Sequence, residues 1–256
     1  MKVGFAGAGN MAAAMARGWA GANGGPDGML FCDSGSGRAA ELAAEVGGEA
    51  RETPAELGRD ADLVVLAVKP KGLAAAATGL AGEAPLVVSV LAGTSLQTLR
   101  EGLGETPVIR TMPNVAVEAR AGLICHAPTD GVPEEAAREA LALLALLGTV
   151  VEVDEGLFDP VTALVGCAPA FLAVVAEALT EAGVREGIGS DLAHELVVEA
   201  LAGTAALLRD RDTLAVRRAV TSPGGGTAAG LAALEAAGVR AAFGDAVRAV
   251  VERMRG

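Results

Sequence analysis

Two glycine-rich turns, one near each end of the chain, hold residue types and spacings suited to anion binding. Residues 221–230 read Thr221-Ser222-Pro223-Gly224-Gly225-Gly226-Thr227-Ala228-Ala229-Gly230. Three glycines and a threonine ahead of an apolar helical run form a loop whose backbone N–H groups can converge on an anion, and the helix dipole reinforces them. Near the start, Gly7-Ala8-Gly9-Asn10-Met11-Ala12 follows a short apolar run. This is the G-x-G-x-x-A spacing of a dinucleotide turn. Gly7 permits the tight turn, Gly9 lets a pyrophosphate approach the backbone, and Ala12 lets the helix pack on its strand. Two such turns in one chain suggest a dinucleotide cofactor at one and a small acidic substrate at the other.

Further groups fall where apolar runs end. Asp33 closes the second run, where an acid accepts hydrogen bonds from a ribose 2′-OH and repels a 2′-phosphate. Ser34, Ser36 and Arg38 follow and suit a 2′-phosphate, so NAD(H) and NADP(H) both stay open. Lys69-Pro70 ends the run Leu63–Val68, where Lys69 either faces a cofactor or is a solvated loop lysine. Ala92-Gly93-Thr94 can admit a nicotinamide ring closely, and Arg110-Thr111-Met112-Pro113-Asn114 reads as a specific turn.

What the chain lacks narrows the chemistry. It has no tyrosine, and its lysines are Lys2, Lys69 and Lys71, so a Tyr/Lys-dependent dehydrogenase is excluded. His126 and His194 sit at a strand end and on a polar helix face. Cys167 has no base beside it in sequence and reads as a packing residue. No metal-ligand cluster is apparent. A reductase without a strong acid suits a cyclic imine, whose nitrogen is basic enough to take a proton and so becomes a good hydride acceptor. Such an enzyme needs a cofactor, a carboxylate clamp and one hydroxyl near the nitrogen.

The surrounding elements must position these groups. Apolar runs Val3–Ala6, Met29–Cys32, Leu63–Val68, Leu86–Leu91, Val108–Thr111, Gly122–Ala127 and Val150–Val153 read as strands. Helices are expected over Met11–Ala20, Arg38–Val46, Leu96–Leu103 and Glu134–Leu147. This alternation predicts an α/β, Rossmann-type, doubly wound sheet in a dinucleotide-binding domain over residues 1–155. Residues 156–256 then form an all-helical C-terminal domain, with helices over Ala168–Ala182, Asp191–Arg209, Thr213–Val220, Ala228–Ala236 and Arg240–Met254. Its helices are apolar on more than one face. Either the first domain or another subunit covers them, and their amphipathicity favours a homodimer.

The 256 residues are 52% hydrophobic and carry a formal net charge of −12 with no basic block, which argues against nucleic acid and anionic membranes as partners. The apolar run Ala168–Ala176 stops at Glu177, short of a membrane span. Three scattered cysteines imply no disulfide framework, and the expected location is cytoplasmic.

The chain resembles the Δ1-pyrroline-5-carboxylate reductase family along nearly its whole length. The resemblance rests on Val3-Gly4-Phe5-x-Gly7-x-Gly9-Asn10-Met11-Ala12, Ala67-Val68-Lys69-Pro70, Ala92-Gly93, Arg110-x-Met112-Pro113-Asn114, Asp159-x-Val161-Thr162-Ala163-Leu164, Pro169-Ala170-Phe171 and Ser222-Pro223-Gly224-Gly225. It implies hydride transfer from NADP(H) or NAD(H), with NADP(H) favoured, to the imine carbon of pyrroline-5-carboxylate. It implies a cofactor held by Gly7, Gly9, Asn10, Met11, Asp33, Ser34, Ala67, Val68, Lys69, Pro70, Ala92, Gly93, Met112, Pro113 and Asn114. The cyclic imino acid would be held by Ser222, Gly224, Gly225, Gly226 and Thr227. The amides of Gly225, Gly226 and Thr227 would hold its carboxylate, and the catalytic Thr227 hydroxyl would lie near the ring nitrogen. It further implies a dimer of interlocked helical domains, an active site shared between subunits, and larger rings of dimers. A plain helix cap is the alternative reading of Thr227. The chain departs from the family at Gly166-Cys167-Ala168-Pro169-Ala170, where Gly-Ser-Gly-Pro-Ala is usual, and at Gly226, where threonine or alanine is common. A reductase of a related cyclic imino acid, or a non-catalytic nucleotide-binding dimer, are the competing readings.

Overall fold

A computed structural model describes residues 1–255, the side chain of Pro70 excepted; Gly256, the last residue of the expected helical domain, lies outside the described residues. The first half alternates strand and helix: β1 (Lys2–Ala6), α1 (Asn10–Ala20), β2 (Gly28–Cys32), α2 (Arg38–Val46), β3 (Glu49–Ala50), α3 (Pro54–Asp60), β4 (Leu63–Leu66), α4 (Leu73–Leu80), β5 (Val87–Ser89), α5 (Leu96–Leu103), β6 (Val108–Pro113), β7 (Gly122–His126), α6 (Glu134–Ala145) and β8 (Gly148–Glu152). The eight strands form one sheet in the order β3-β2-β1-β4-β5-β6-β7-β8. The buried residues of β1, β2 and β4 are all apolar, and helices cover both faces of the sheet with two hydrophobic layers. On one face Phe5 stacks on Phe31 at 5.0 Å, and the Trp19 indole donates to the Leu143 carbonyl at 3.0 Å.

Most expected elements are present, with three differences. Strand pairing is parallel except between β6 and β7, which run antiparallel with Met112 opposite Cys125. The expected strand Leu63–Val68 stops at Leu66 because Ala67 and Val68 turn against the Gly7 backbone. Finally, β3, α3 and α4 are additional elements. Helix α3 has a legible signal: Thr53 accepts from the Glu56 amide, Pro54 follows, and Glu56 accepts from the Glu52 amide. Helix α4 is Ala-rich without clear period, which hid it.

From residue 155 onward there is no strand among the described residues. A 3-10 turn (Glu155–Leu157) leads into α7 (Phe158–Val161) and a π turn (Thr162–Gly166). Then come α8 (Ala168–Arg185), α9 (Ser190–Asp210), α10 (Thr213–Ala219), α11 (Gly226–Ala236) and α12 (Val239–Arg255). The chain divides into two compact units, Met1–Pro169 with the segment from Val250, and Ala170–Ala249. The second unit has almost no interior. Ala193 is the one buried side chain of α8 to α12 among the described residues. Leu172, Val174, Leu179, Leu196 and Leu234 are more than half exposed. Between α8 and α9 lies an apolar groove of about 380 Å³, lined by Leu179, Ile188, Leu196 and Leu201. Apolar area on this scale marks a surface that another chain or a membrane covers. The segment Glu155–Arg185 is long and apolar enough by length and composition to span a membrane. That corrects the shorter estimate from Ala168–Ala176, because the helical segment continues past Glu177.

Candidate active site

The strand order reverses between β1 and β4, which opens a crevice at the carboxyl ends of the strands, where open α/β sheets bind ligands. Parallel β1, β4 and β5 deliver Gly7, Ala67 and Ala92 to that edge, and β6 delivers Pro113-Asn114. Gly7 has φ of +103°, and a Cβ placed there would stand 2.6 Å from the Ala67 carbonyl oxygen. Only glycine fits this crossing. Gly9 is different: a Cβ there meets nothing within 4 Å. It caps α1 in extended conformation, and its carbonyl accepts from Ala13. The amides of Asn10, Met11 and Ala12 therefore open the helix without intrahelical partners, beneath open space. A tight crossing, a clear approach and unengaged amides together fit a dinucleotide pyrophosphate.

The other expected cofactor residues differ in how they present themselves. Lys69 is exposed, with its carbonyl accepting from Gly72. Ala67 and Val68 are half-buried, and Pro70 opens a 3-10 turn, its side chain lying outside the described residues. Ala92 is half-buried and Gly93 exposed. Met112 and Pro113 are buried, Met112 among Cys125, Phe158 and Val165, so their side chains pack inward. The Asn114 side-chain oxygen accepts from the Leu123 amide at 3.3 Å and braces the turn.

Asp33 is turned into its own loop. Its Oδ1 accepts from the amides of Gly35 (2.7 Å) and Ser36 (3.0 Å), and its Oδ2 from the Ser36 hydroxyl (2.8 Å) and the Ala39 amide (2.9 Å). Burial pushes its pKa up, but these four bonds outweigh burial and hold the carboxyl below its usual range. Because the folded pKa is depressed, the loop keeps this stabilisation above the carboxyl's unfolded pKa and loses it as pH falls through the lower folded value. Four bonds engage about all the lone pairs a carboxylate offers, leaving Ser34 and Arg38 exposed beside it. Asp33→Ala removes the bonds that hold the loop carrying Ser34 and Arg38, and is expected to lower kcat/KM for NADPH by about tenfold. Parallel NADPH and NADH kinetics check this. A rise in the NADPH to NADH ratio would mean that the carboxylate repels the 2′-phosphate instead.

One partly buried pair, Arg110 buried and Glu155 half-buried, was not legible as such. Arg110, 4% exposed in β6, donates from Nη1 to Glu155 Oε1 at 2.6 Å, and its guanidinium lies 4.1 Å over the Phe158 ring. Glu155 Oε1 also accepts from the Leu96 amide at 2.8 Å. Arg110 Nε and Glu155 Oε2 are buried without partners. The available signal was an arginine within the otherwise uncharged strand Val108–Pro113, since such a charge needs a buried counter-ion.

In the helical unit, the loop before α11 holds the second glycine-rich turn. Gly225, not Thr227, is the helix N-cap, which removes the plain-cap reading of Thr227. The Gly225 amide donates to the Ser222 carbonyl at 3.1 Å within the turn, and the Ala229 amide to the Gly225 carbonyl at 3.2 Å. The amides of Gly226, Thr227 and Ala228 have no partner within the turn or helix, whereas the resemblance implies a clamp of the Gly225, Gly226 and Thr227 amides. A Cβ at Gly225 would collide with the Ser222 hydroxyl. Ser222, Gly224, Gly226 and Thr227 are exposed, and the Thr227 side chain makes no hydrogen bond among the described residues.

Burial pushes the Cys32 and Cys125 thiols up, away from reactive thiolate, and all three cysteines are free. Cys167 donates its amide to the Thr162 carbonyl at 3.0 Å and closes the π turn. No group of three potential metal ligands comes together among the described residues.

The chain is similar to known proteins along its whole length. Residues 155–256 match the family model "Pyrroline-5-carboxylate reductase dimerisation", and residues 2–93 match "NADP oxidoreductase coenzyme F420-dependent". The chain is 43% identical to the pyrroline-5-carboxylate reductase of Thermus thermophilus, covering 78% of this chain and 77% of that one. It is 36% identical to the corresponding enzyme of Methanosarcina acetivorans, covering 99% and 97%. It superposes with a TM-score of 0.89 on a Plasmodium falciparum pyrroline carboxylate reductase with NADP bound, at 26% identity, covering 99% and 97%.

Proposed function

The chain belongs to the pyrroline-5-carboxylate reductase family, and from that premise we propose that two copies build each active site, one contributing its nucleotide crevice and the other its glycine loop. The reaction is the NAD(P)H-dependent reduction of the C=N bond of 1-pyrroline-5-carboxylate to L-proline. The observation that carries the divided site is the pairing, in one chain, of a dinucleotide cradle at Gly7 and Gly9 with unengaged amides at Gly226, Thr227 and Ala228.

Gly7, Gly9, Asn10 and Met11 would hold the cofactor pyrophosphate. Ser34 and Arg38 would flank the adenosine ribose, and Ala92-Gly93 would border the nicotinamide. The bound nicotinamide supplies a hydride. The amides of Gly226, Thr227 and Ala228 hold the substrate carboxylate and so fix which face of the ring is presented. The Thr227 hydroxyl hydrogen-bonds the ring nitrogen, which carries the proton that makes the imine an iminium. The nitrogen ends as the ring amine of proline, so the site needs no lysine or tyrosine acid.

The functional boundary falls at residues 155 and 156. A second copy covers the apolar faces of α8 and α9, and dimers can assemble into rings. On this reading the apolar segment Glu155–Arg185 is an interface and not a membrane span, and the three free thiols suit a reducing cytoplasm.

Subunit complementation tests the divided site. Co-expressed Gly7→Ala and Thr227→Ala chains are expected to regain about a quarter of wild-type turnover, since half the dimers are mixed and each has one intact site. Mixed dimers that stay inactive would contradict it.

A further inference from the structure

We infer that Arg110 and Glu155 are positioning residues for the cofactor, acting through the loop Ala92–Ser95 that joins β5 to α5. The inference rests on the proposed placement of the nicotinamide beside Ala92-Gly93.

That loop is held at both ends. At its start, the Leu91 amide donates to the Ser89 hydroxyl at 3.3 Å, and the Thr111 hydroxyl donates to the Ser89 carbonyl at 2.9 Å. At its finish, Ser95 caps α5 by accepting from Thr98 at 3.1 Å. The first amide of that helix, on Leu96, donates to Glu155 from 59 positions along the chain. Glu155 is in turn held by Arg110, whose guanidinium lies over the Phe158 ring. Buried Thr94 anchors the middle of the loop, and Gly93 faces out.

The geometry of the pair points to the loop as its purpose. An arginine and a carboxylate free to optimise their own contact form two parallel hydrogen bonds. Here the carboxylate is drawn to the Leu96 amide. Oε1 is shared between that amide and Arg110, and both Oε2 and the Arg110 Nε are left buried and unpaired. A pair serving stability alone gains nothing from this offset. A pair that sets the height of the β5–α5 loop requires it.

Glu155→Gln is the decisive variant, because it keeps size and an oxygen for the Leu96 amide but removes the charge that Arg110 holds. NADP+ binding to the whole protein is measured by calorimetry, and KM is measured for each substrate. The expected result is a three- to tenfold weaker NADP+ affinity and a matching rise in the KM for NADPH, with the KM for pyrroline-5-carboxylate unchanged. Arg110→Lys, which keeps the charge, is expected to retain more of the affinity than Arg110→Met. Melting temperature alone does not separate a structural from a positioning role, but the split between the two KM values does. Folded Glu155→Gln protein with wild-type NADP+ affinity overturns the inference, as does an equal rise in both KM values. A wild-type protein that binds no NADP+ would instead remove the reading on which the inference rests.

Discussion

Replacing Gly7 by alanine lowers kcat/KM with either nicotinamide cofactor by about a hundredfold or more, equivalent to roughly 3 kcal/mol. The residue adopts φ of +103°, and its missing side chain would lie 2.6 Å from the Ala67 oxygen and 2.8 Å from the Val68 amide nitrogen. Those are backbone atoms of the neighbouring loop and cannot rotate away, so the crossing itself must open. Stability falls as well, which makes Gly9→Ala the informative companion. A methyl group at Gly9 meets no protein atom within 4 Å, so the variant keeps its melting temperature. Its methyl enters the space above the amides of Asn10, Met11 and Ala12, and nucleotide affinity drops by about tenfold or more. The check is NADP+ titration of both variants beside thermal unfolding. Wild-type affinity in Gly9→Ala would show that the pyrophosphate does not sit on this turn.

Thr227→Ala lowers kcat by about a hundredfold, the scale expected for losing one hydrogen bond that orients the reacting nitrogen in the transition state. The fold does not depend on this hydroxyl: the side chain is exposed, and Gly225 supplies the N-cap. The backbone amides that receive the carboxylate remain, so KM for the imino acid stays within a few-fold and the loss appears in kcat. Thr227→Ser is expected to recover most of the rate. Steady-state kinetics on the three proteins decide the matter. A wild-type kcat in Thr227→Ala would leave the loop as a carboxylate clamp only and remove the threonine from the chemistry.

Most of the nucleotide half is readable from local pattern. Val3–Ala6, Met29–Cys32 and Leu63–Leu66 are buried on both faces and so appear as unbroken apolar runs, and the glycine turn sits between the first run and a helix. The short helix Pro54–Asp60 has a full capping signature at Thr53, Pro54 and Glu56, and attention to caps as well as period finds it. The antiparallel turn of β7 has no counterpart in local sequence, because it depends on how the chain returns after Asn114.

At the site, residue types announced the turns but not which atoms were engaged. Sequence alone does not show that Asp33 accepts four hydrogen bonds from its own loop. Nor does it show that the Gly225 amide donates to the Ser222 carbonyl. Arg110 and Glu155 lie 45 positions apart, and only the folded chain brings them together over Phe158. The exposed leucines and valines of α8 and α9 were legible as an excess of apolar surface.

The most direct test of the central claim follows the hydride. The purified protein is incubated with pyrroline-5-carboxylate and NADPH carrying deuterium at the transferring position of the nicotinamide, and the product is examined by mass spectrometry and NMR. The account predicts L-proline with one deuterium on the former imine carbon, formed at the rate at which NADPH disappears. Folded, nucleotide-binding protein that yields no deuterated proline would contradict it.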